Sequence, residues 1–202
     1  RAPNKYKDQE VRSKYTYPKE YKGPRPIEEQ IKTIAEAFGL NPADALEFAK
    51  NLPDFKTFVP EHALPHAGWF AIPSVDAITA KHFSDVNDPA ERNCRAIEFI
   101  LDNIAATRSF HNWRKGQITK ERLRISERTE QGLVLLAQMQ QGDIWIIAAQ
   151  LGMVYRGRST LRAEECFAQN EYGFTSVMGG SVARTHPERF VRYDELDMDL
   201  PG

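Results

Sequence analysis

The apolar run at 143–150, Asp-Ile-Trp-Ile-Ile-Ala-Ala-Gln, constrains the fold more than any other segment of the sequence. An uninterrupted apolar stretch of this length is typical of a strand at the centre of a sheet, where both faces are covered. Residues 69–72, Trp-Phe-Ala-Ile, predict a second strand. Shorter strands are expected at 153–155 and 174–178, with the Gly179-Gly180 pair as a turn.

Helical signals are more extensive than strand signals. Apolar residues recur at three- and four-residue spacings, and capping residues mark the ends of these segments. The predicted helices cover residues 26–38, 42–52, 88–107, 126–140 and 160–169. We therefore predict an α+β fold that is predominantly helical, with a small central sheet and an extended N-terminal arm.

The sequence divides into three parts. We assign residues 1–25 to a flexible arm, residues 26–54 to a helical hairpin and residues 55–202 to a mixed α/β core. A chain of 202 residues can bury a sizeable core without disulfide or metal cross-links. Its two cysteines, Cys94 and Cys166, favour a reducing, cytoplasmic location. Since no apolar run approaches the roughly 20 residues of a membrane span, we expect no membrane association.

The arm, residues 1–25, is basic and rich in tyrosine. It carries eight basic side chains against three acidic ones, and four of the seven tyrosines of the chain, but almost no aliphatic residues. A segment of this composition buries too little apolar surface to offset the entropy lost on ordering. We therefore expect the arm to be mobile unless something holds it.

Basic and aromatic residues alternate in the arm and again in residues 108–124. Cationic side chains neutralise phosphates and aromatic rings stack on exposed bases, a combination that favours single-stranded or flexible nucleic acid. The candidate nucleic-acid- or anion-binding residues are Lys14, Lys19, Arg108, Arg114, Lys115, Lys120, Arg156 and Arg158. The candidate aromatic contacts are Tyr15, Tyr17, Tyr21 and Trp113. Two alternatives stay open: a solvated surface, and an arm whose tyrosines anchor it across a second subunit of an oligomer.

Residues 31–50 place an alanine in a first helix, a glycine four residues later, and apolar residues on both sides. The residues concerned are Ile34, Ala35, Phe38, Gly39, Leu40, Asn41, Pro42, Ala45 and Phe48. The segment resembles a helix-turn-helix unit, which implies that its second helix reads DNA. That helix, however, presents Asp44 and Glu47, whose carboxylates repel phosphates. A plain hairpin and a hairpin that docks a protein therefore stay open. We expect burial of Ile34, Phe38, Leu40 and Phe48, with Asp44 and Glu47 exposed.

The turn at 155–160, Tyr-Arg-Gly-Arg-Ser-Thr, lies between the apolar strand and a predicted helix. Amides, hydroxyls and two arginines at such a turn suit a phosphate or a carboxylate. Together with Val154, Tyr155-Arg156-Gly157 resembles the opening strand of ADP-ribosyltransferases, and residues 174–176 resemble that family's serine-bearing strand. The resemblance implies an enzyme that holds a dinucleotide through Arg156. The family also needs a catalytic glutamate on a later strand, and only Glu188 and Glu195 follow.

Several classes of site are not indicated by the sequence. His62 and His66 have the spacing of paired zinc ligands, but Pro65 disfavours the helix that would align them. There is no glycine-rich phosphate loop and no nucleophile elbow, so we assign no metal, no cofactor and no catalytic residue. A net charge of −1, from 27 basic and 28 acidic side chains, excludes a uniformly basic nucleic-acid binder.

The sequence thus favours a non-enzymatic binding or regulatory module that contacts nucleic acid through its basic aromatic segments. Two alternative functions stay open. One is a protein-interaction factor that docks an acidic partner. The other is an enzyme that acts on a phosphate-bearing substrate at the arginine turn.

Overall fold

A computed structural model of the protein describes residues 4–58, 67–190 and 198–202. The elements, in chain order, are α1 (Ile27–Phe38), α2 (Ala43–Ala49), α3 (Phe55–Phe58), β1 (Ala67–Pro73), α4 (Val75–His82), α5 (Pro89–Thr107), α6 (Glu127–Met139), β2 (Ile144–Gln150), α7 (Thr160–Cys166) and α8 (Ser176–Thr185). Helices predominate over a small two-stranded sheet, which confirms the predicted α+β class. No helix within the described ranges has both the length and the apolar character needed to cross a bilayer.

β1 and β2 form an antiparallel ribbon that separates two hydrophobic clusters. The register pairs Phe70 with Ile147 and Ala71 with Ile146. Ala71 and Ile146 join a cluster with residues of α1 and α5, whereas Phe70 and Ile147 join a second cluster with residues of α8 and the arm. Both faces of β2 are therefore covered from Ile144 to Ile147, and this explains why these four residues are all apolar.

α1 and α2 form the predicted helical hairpin. Gly39 adopts a φ of +67° directly after α1, and its amide donates a hydrogen bond to the Ala35 carbonyl. The expected burial holds for Ile34, Phe38 and Leu40, and the expected exposure holds for Asp44 and Glu47. Phe48, which was expected to be buried, is only half-buried.

The predicted strand at 174–178 and the predicted turn at Gly179-Gly180 are both wrong, because Ser176–Thr185 forms helix α8. The Thr175 hydroxyl caps this helix by accepting a hydrogen bond from the Met178 amide. A Cβ atom at position 180 would lie 2.6 Å from Cγ2 of Ile100 in α5. The glycine pair therefore allows close packing of two helices rather than a reversal of the chain.

The predicted extension of the sheet at 153–155 is also wrong. Gly152, at a φ of +103°, turns the chain away from β2, and residues 153–155 form a single 3-10 turn. The helix expected at 160–169 begins as predicted at Thr160, after the cap residue Ser159, but ends earlier at Cys166. This sharp turn after β2 places the arginine-containing segment beneath the N-terminal arm.

Candidate functional site

The N-terminal arm, of which residues 4–25 are described, runs across the turn that follows β2. The Val11 amide donates a hydrogen bond to the Gly157 carbonyl at 2.8 Å, and the Ser159 amide donates to the Gln9 carbonyl at 3.1 Å. The body of the same chain therefore supplies the contacts that hold the arm in this conformation.

An ion-pair network fastens the same part of the arm. The Glu10 carboxylate accepts hydrogen bonds from Nη2 of Arg158 at 3.1 Å and from Nε of Arg162 at 2.9 Å. The Arg162 side chain is only 11% exposed and also pairs with Glu165 at 2.8 Å. Hydrogen bonds from Arg162 and Arg158 lower the pKa of Glu10. Sequence reasoning missed Glu10 and Arg162 because these partners lie 152 residues apart in the chain.

Two of the predicted aromatic contacts, Tyr17 and Tyr21, point into the protein. The Tyr17 hydroxyl accepts hydrogen bonds from the amides of Leu151 at 3.1 Å and Met153 at 3.3 Å. Tyr21 is 8% exposed and packs edge-on against Tyr17, with ring centroids 5.3 Å apart. Burial raises the pKa of both phenols. These two rings anchor the arm, whereas Tyr15 is 55% exposed.

A cavity of about 990 Å³ lies between the arm and the turn after β2. The basic residues that line it are Arg12, Lys14, Arg156 and Arg158. The Arg156 guanidinium donates to the Tyr15 carbonyl at 3.1 Å and contacts Sδ of Met153 at 3.2 Å. Within the described part of the chain, Arg12, Lys14 and Arg156 form no ion pair. Their three positive charges therefore give the cavity a cationic rim.

Aromatic rings form other parts of the cavity wall, namely Tyr15, Tyr155, Phe167, Tyr172 and Phe174. The Tyr155 hydroxyl donates to the Glu171 carboxylate, which also accepts a hydrogen bond from the Ala168 amide at 2.6 Å. Burial, together with this hydrogen bond, raises the pKa of Tyr155. Glu171 and Asp199 are the carboxylates among the lining residues, and Glu171 is already engaged by two donors.

The second basic stretch, residues 108–124, extends along α5. Arg108 follows the C-terminal end of α5, and its Nη1 donates to the Pro187 carbonyl at 2.9 Å. Lys120 instead pairs at 3.0 Å with Asp88, the residue that caps the other end of α5. A helix of 19 residues spans roughly 28 Å, so these two candidate anion-binding residues lie far apart.

The middle of this stretch, residues 110–122, presents aromatic side chains to solvent, and we call it the Trp113 loop. Trp113 is 81% exposed. Its ring lies edge-on to the exposed His111, with centroids 4.2 Å apart. Phe110, at the start of the loop, is also exposed. The loop therefore displays aromatic faces that the body of the protein does not cover.

Two guanidinium groups converge in the Trp113 loop. Nη1 of Arg114 and Nη1 of Arg122 lie 3.5 Å and 3.3 Å from the same atom, Oε1 of Gln117. Among the described residues, neither of these groups nor Lys115 has a carboxylate partner. Like charges that share one neutral acceptor repel each other, and an anion placed between them would relieve that repulsion.

The structure gathers some of the predicted site residues on two separate surfaces and leaves the others elsewhere. The cavity brings together Lys14, Tyr15, Arg156 and Arg158. The Trp113 loop brings together Trp113, Arg114 and Lys115, and no residue of 108–124 lines the cavity. Lys19 is exposed at a turn of the arm and does not line the cavity.

Within the described part of the chain, the features that the ADP-ribosyltransferase resemblance requires do not meet at the cavity. Residues 174–176 do not form a strand, since Ser176 is the first residue of α8. Glu188 pairs with Arg25 at 2.8 Å and is not a lining residue of the cavity. Glu195 lies outside the described residues.

A metal site is likewise not formed by the residues that the structure describes. No group of three or more His, Cys, Asp or Glu side chains in these ranges could hold a metal ion. His62 and His66 lie outside the described residues. Cys94 is buried and Cys166 is half-buried, and both are free thiols.

Comparisons of the chain with protein-family models, with curated proteins and with solved structures gave no match. The function is therefore inferred from the residues and their geometry.

Proposed function

We propose that this protein is a non-enzymatic binding module that takes up single-stranded nucleic acid on the Trp113 loop. The observation that carries the proposal is the convergence of Arg114 and Arg122 on Gln117 next to the exposed ring of Trp113. Because both Nη1 atoms contact one oxygen, they lie within about 7 Å of each other, where unscreened like charges repel. Two neighbouring phosphates of one strand would supply the missing negative charge.

The aromatic part of the loop suits unpaired bases. The ring of Trp113 is 81% exposed and contacts the ring of His111. A base stacked on such a ring contributes about 1–3 kcal/mol of binding free energy, largely independent of sequence. A duplex hides its base faces, so this arrangement favours a single strand over double-stranded DNA.

The hairpin of α1 and α2 is less suited to nucleic acid than the Trp113 loop. Its second helix exposes Asp44 and Glu47, and the nearby Lys50 is already paired with Glu47. Carboxylates on this surface would repel phosphates. We therefore place the nucleic-acid contact on the loop rather than on the helix-turn-helix-like segment.

The proposal is tested by fluorescence anisotropy of a labelled oligothymidylate of about 12 nucleotides, titrated with the full chain at several salt concentrations. We expect binding to weaken as salt rises, and Arg114→Ala or Arg122→Ala to reduce the slope of log K against log salt by about 0.7 each. Trp113→Ala should weaken binding roughly 5- to 150-fold without changing that slope.

Lys19→Ala is the matched control, because it also removes one exposed positive charge but lies outside the loop. If Lys19→Ala and Arg114→Ala reduced the slope equally, attraction would be diffuse and the assignment to the loop would be wrong. Competition with polyglutamate tests the alternative of an acidic protein partner. If polyglutamate displaced the oligonucleotide at equal charge concentration, recognition of nucleic acid would be overturned.

A further inference from the structure

We infer that the cavity beneath the N-terminal arm is a second binding site, for a small phosphorylated ring compound of the nucleotide class. Its volume of about 990 Å³ lies at the upper end of the range found for small-molecule sites. The inference uses none of the residues of the Trp113 loop, so it does not depend on the proposed function.

The cationic rim of the cavity defines the charge of the ligand. Arg12, Lys14 and Arg156 all line the cavity, and within the described residues none of them is neutralised by a carboxylate. The Arg156 guanidinium is held in place by the Tyr15 carbonyl at 3.1 Å, which leaves its other nitrogens available as donors. Guanidinium and ammonium groups on one rim suit the several oxygens of a phosphate chain.

The turn already binds an anionic group in this structure. The Glu10 carboxylate lies between Arg158 and Arg162, at 3.1 Å and 2.9 Å. Nε of Arg158, a residue of the cavity wall, is buried and has no hydrogen-bond partner within the described part of the chain. The segment 156–162 therefore contains a guanidinium donor that no acceptor in the described structure satisfies.

Another part of the cavity lining suits a planar ring. The rings of Tyr155 and Phe167 pack against each other with centroids 5.1 Å apart, and Tyr172 and Phe174 extend this apolar surface. The exposed Tyr15 stands on the arm side of the cavity. A ligand with phosphates at the rim and a base against the aromatic wall would use both parts.

Isothermal titration calorimetry of the full chain with ADP, adenosine and pyrophosphate tests this inference. We expect ADP to bind, and adenosine and pyrophosphate each to bind at least about tenfold more weakly, because each lacks one of the two recognised parts. If pyrophosphate bound as tightly as ADP, the site would recognise only an anion and the nucleotide assignment would be overturned. Absence of ADP binding would overturn the inference altogether.

Substitutions locate the site. Arg156→Ala and Lys14→Ala should each weaken ADP binding about tenfold, the loss expected for one charge-assisted contact. Both side chains are exposed, and Lys14 makes no hydrogen bond in the described structure, so these variants should fold.

A comparison of variants separates the cavity from the Trp113 loop. Arg114→Ala should weaken oligonucleotide binding and leave ADP binding unchanged, whereas Arg156→Ala should weaken ADP binding and leave oligonucleotide binding unchanged. Loss of ADP binding in Arg114→Ala alone would move the nucleotide to the Trp113 loop and overturn the inference.

Limited trypsin digestion gives a second measurement. The arm carries Arg12 and Lys14 on the wall of the cavity, and both are exposed and lie outside any helix or strand. Bound ADP should slow cleavage after these two residues severalfold and leave cleavage after Lys19 unchanged. Equal rates with and without saturating ADP would contradict a ligand that lies under the arm.

Discussion

Gly157 accepts a hydrogen bond from the Val11 amide at 2.8 Å, and the contact leaves no space for a side chain at position 157. A Cβ atom there would lie 2.2 Å from the Val11 carbonyl oxygen, well inside van der Waals contact. Gly157 also has a φ of +77°, a conformation that residues with a side chain rarely adopt. The position of the arm over the cavity therefore depends on this glycine.

Gly157→Ala should release the arm from the turn after β2. The substitution adds a clash with Val11 to the cost of a left-handed backbone, and together these should lower the free energy of unfolding by roughly 1–3 kcal/mol. We expect faster tryptic cleavage after Arg12 and Lys14, measured by mass spectrometry of digestion time courses. Urea denaturation gives the change in stability.

Gly116→Ala is the matched control for this prediction. Gly116 has a similar φ of +74°, but a Cβ atom there would meet nothing within 4 Å. Gly116→Ala therefore has the energetic cost of a left-handed backbone conformation but no steric clash. Tryptic cleavage of the arm in this variant should stay at the wild-type rate. Equal cleavage of the arm in the two variants would show that the contact with Val11 does not hold the arm.

Tyr17→Phe should destabilise the protein although it removes only one oxygen atom. The hydroxyl accepts hydrogen bonds from the amides of Leu151 and Met153, and without it these amides lose that acceptor. An unsatisfied donor in a half-buried site costs about 1–3 kcal/mol, which urea denaturation would detect. Tyr15→Phe changes the same group on a neighbouring exposed ring and should alter stability by less than about 0.5 kcal/mol. Similar losses in both variants would contradict the anchoring role of Tyr17.

The helices whose caps lie beside them in the sequence could be predicted well. Asp88 accepts hydrogen bonds from the amides of Ala90 and Glu91 at the start of α5, and Ser126 accepts one from Thr129 at the start of α6. These contacts join residues two or three positions apart, so the local sequence contains all the information they need. The same holds for the apolar run that became β2.

The docking of the arm and the form of α8 could not be predicted in this way. Glu10 meets Arg162 across 152 residues, and no local pattern indicates that pairing. A Gly-Gly pair usually marks a turn, but Gly180 lies within a helix because Ile100 of α5 packs where its side chain would be. The convergence of Arg114 and Arg122 on Gln117 likewise depends on how the loop folds back on itself. Tertiary packing decided these features.

Phe38→Ala should be strongly destabilising. Phe38 is 1% exposed at the end of α1 and packs against Phe99 of α5, with ring centroids 5.9 Å apart. Removal of a buried phenyl ring leaves a cavity that costs about 3–5 kcal/mol if the site cannot collapse. Phe110→Ala in the exposed Trp113 loop provides the control and should change the free energy of unfolding by less than about 1 kcal/mol. A small loss for Phe38→Ala would mean that neighbouring side chains fill the space.

His186 should make the stability of the protein sensitive to acid. The side chain is fully buried, its Nε2 accepts a hydrogen bond from the Arg25 amide at 3.0 Å, and Nδ1 lies 2.8 Å from Oγ1 of Thr185. The Thr185 hydroxyl donates to the Ser181 carbonyl, so Nδ1 carries the proton and the ring is neutral. Burial lowers the pKa of His186 to about 4; the nearby charge of Glu188 opposes this shift and the charge of Arg25 adds to it.

The direction of the pH effect on stability follows from proton binding at His186 in the folded and unfolded states. Below the ordinary pKa of 6.5, the unfolded chain binds a proton at His186 while the folded protein does not, so the free energy of unfolding falls as pH falls. Between pH 6.5 and about 4 this loss of stability amounts to at most about 3 kcal/mol.

The variant His186→Gln tests this prediction, because its side-chain oxygen can accept the hydrogen bond from the Arg25 amide but the side chain cannot titrate. Carboxylates titrate equally in both proteins, so the stability difference between wild type and His186→Gln, measured by urea denaturation from pH 7 to 4, isolates His186. As pH falls, the wild type should lose stability relative to His186→Gln. A stability difference that stayed constant from pH 7 to 4 would show that His186 is not the buried neutral group described.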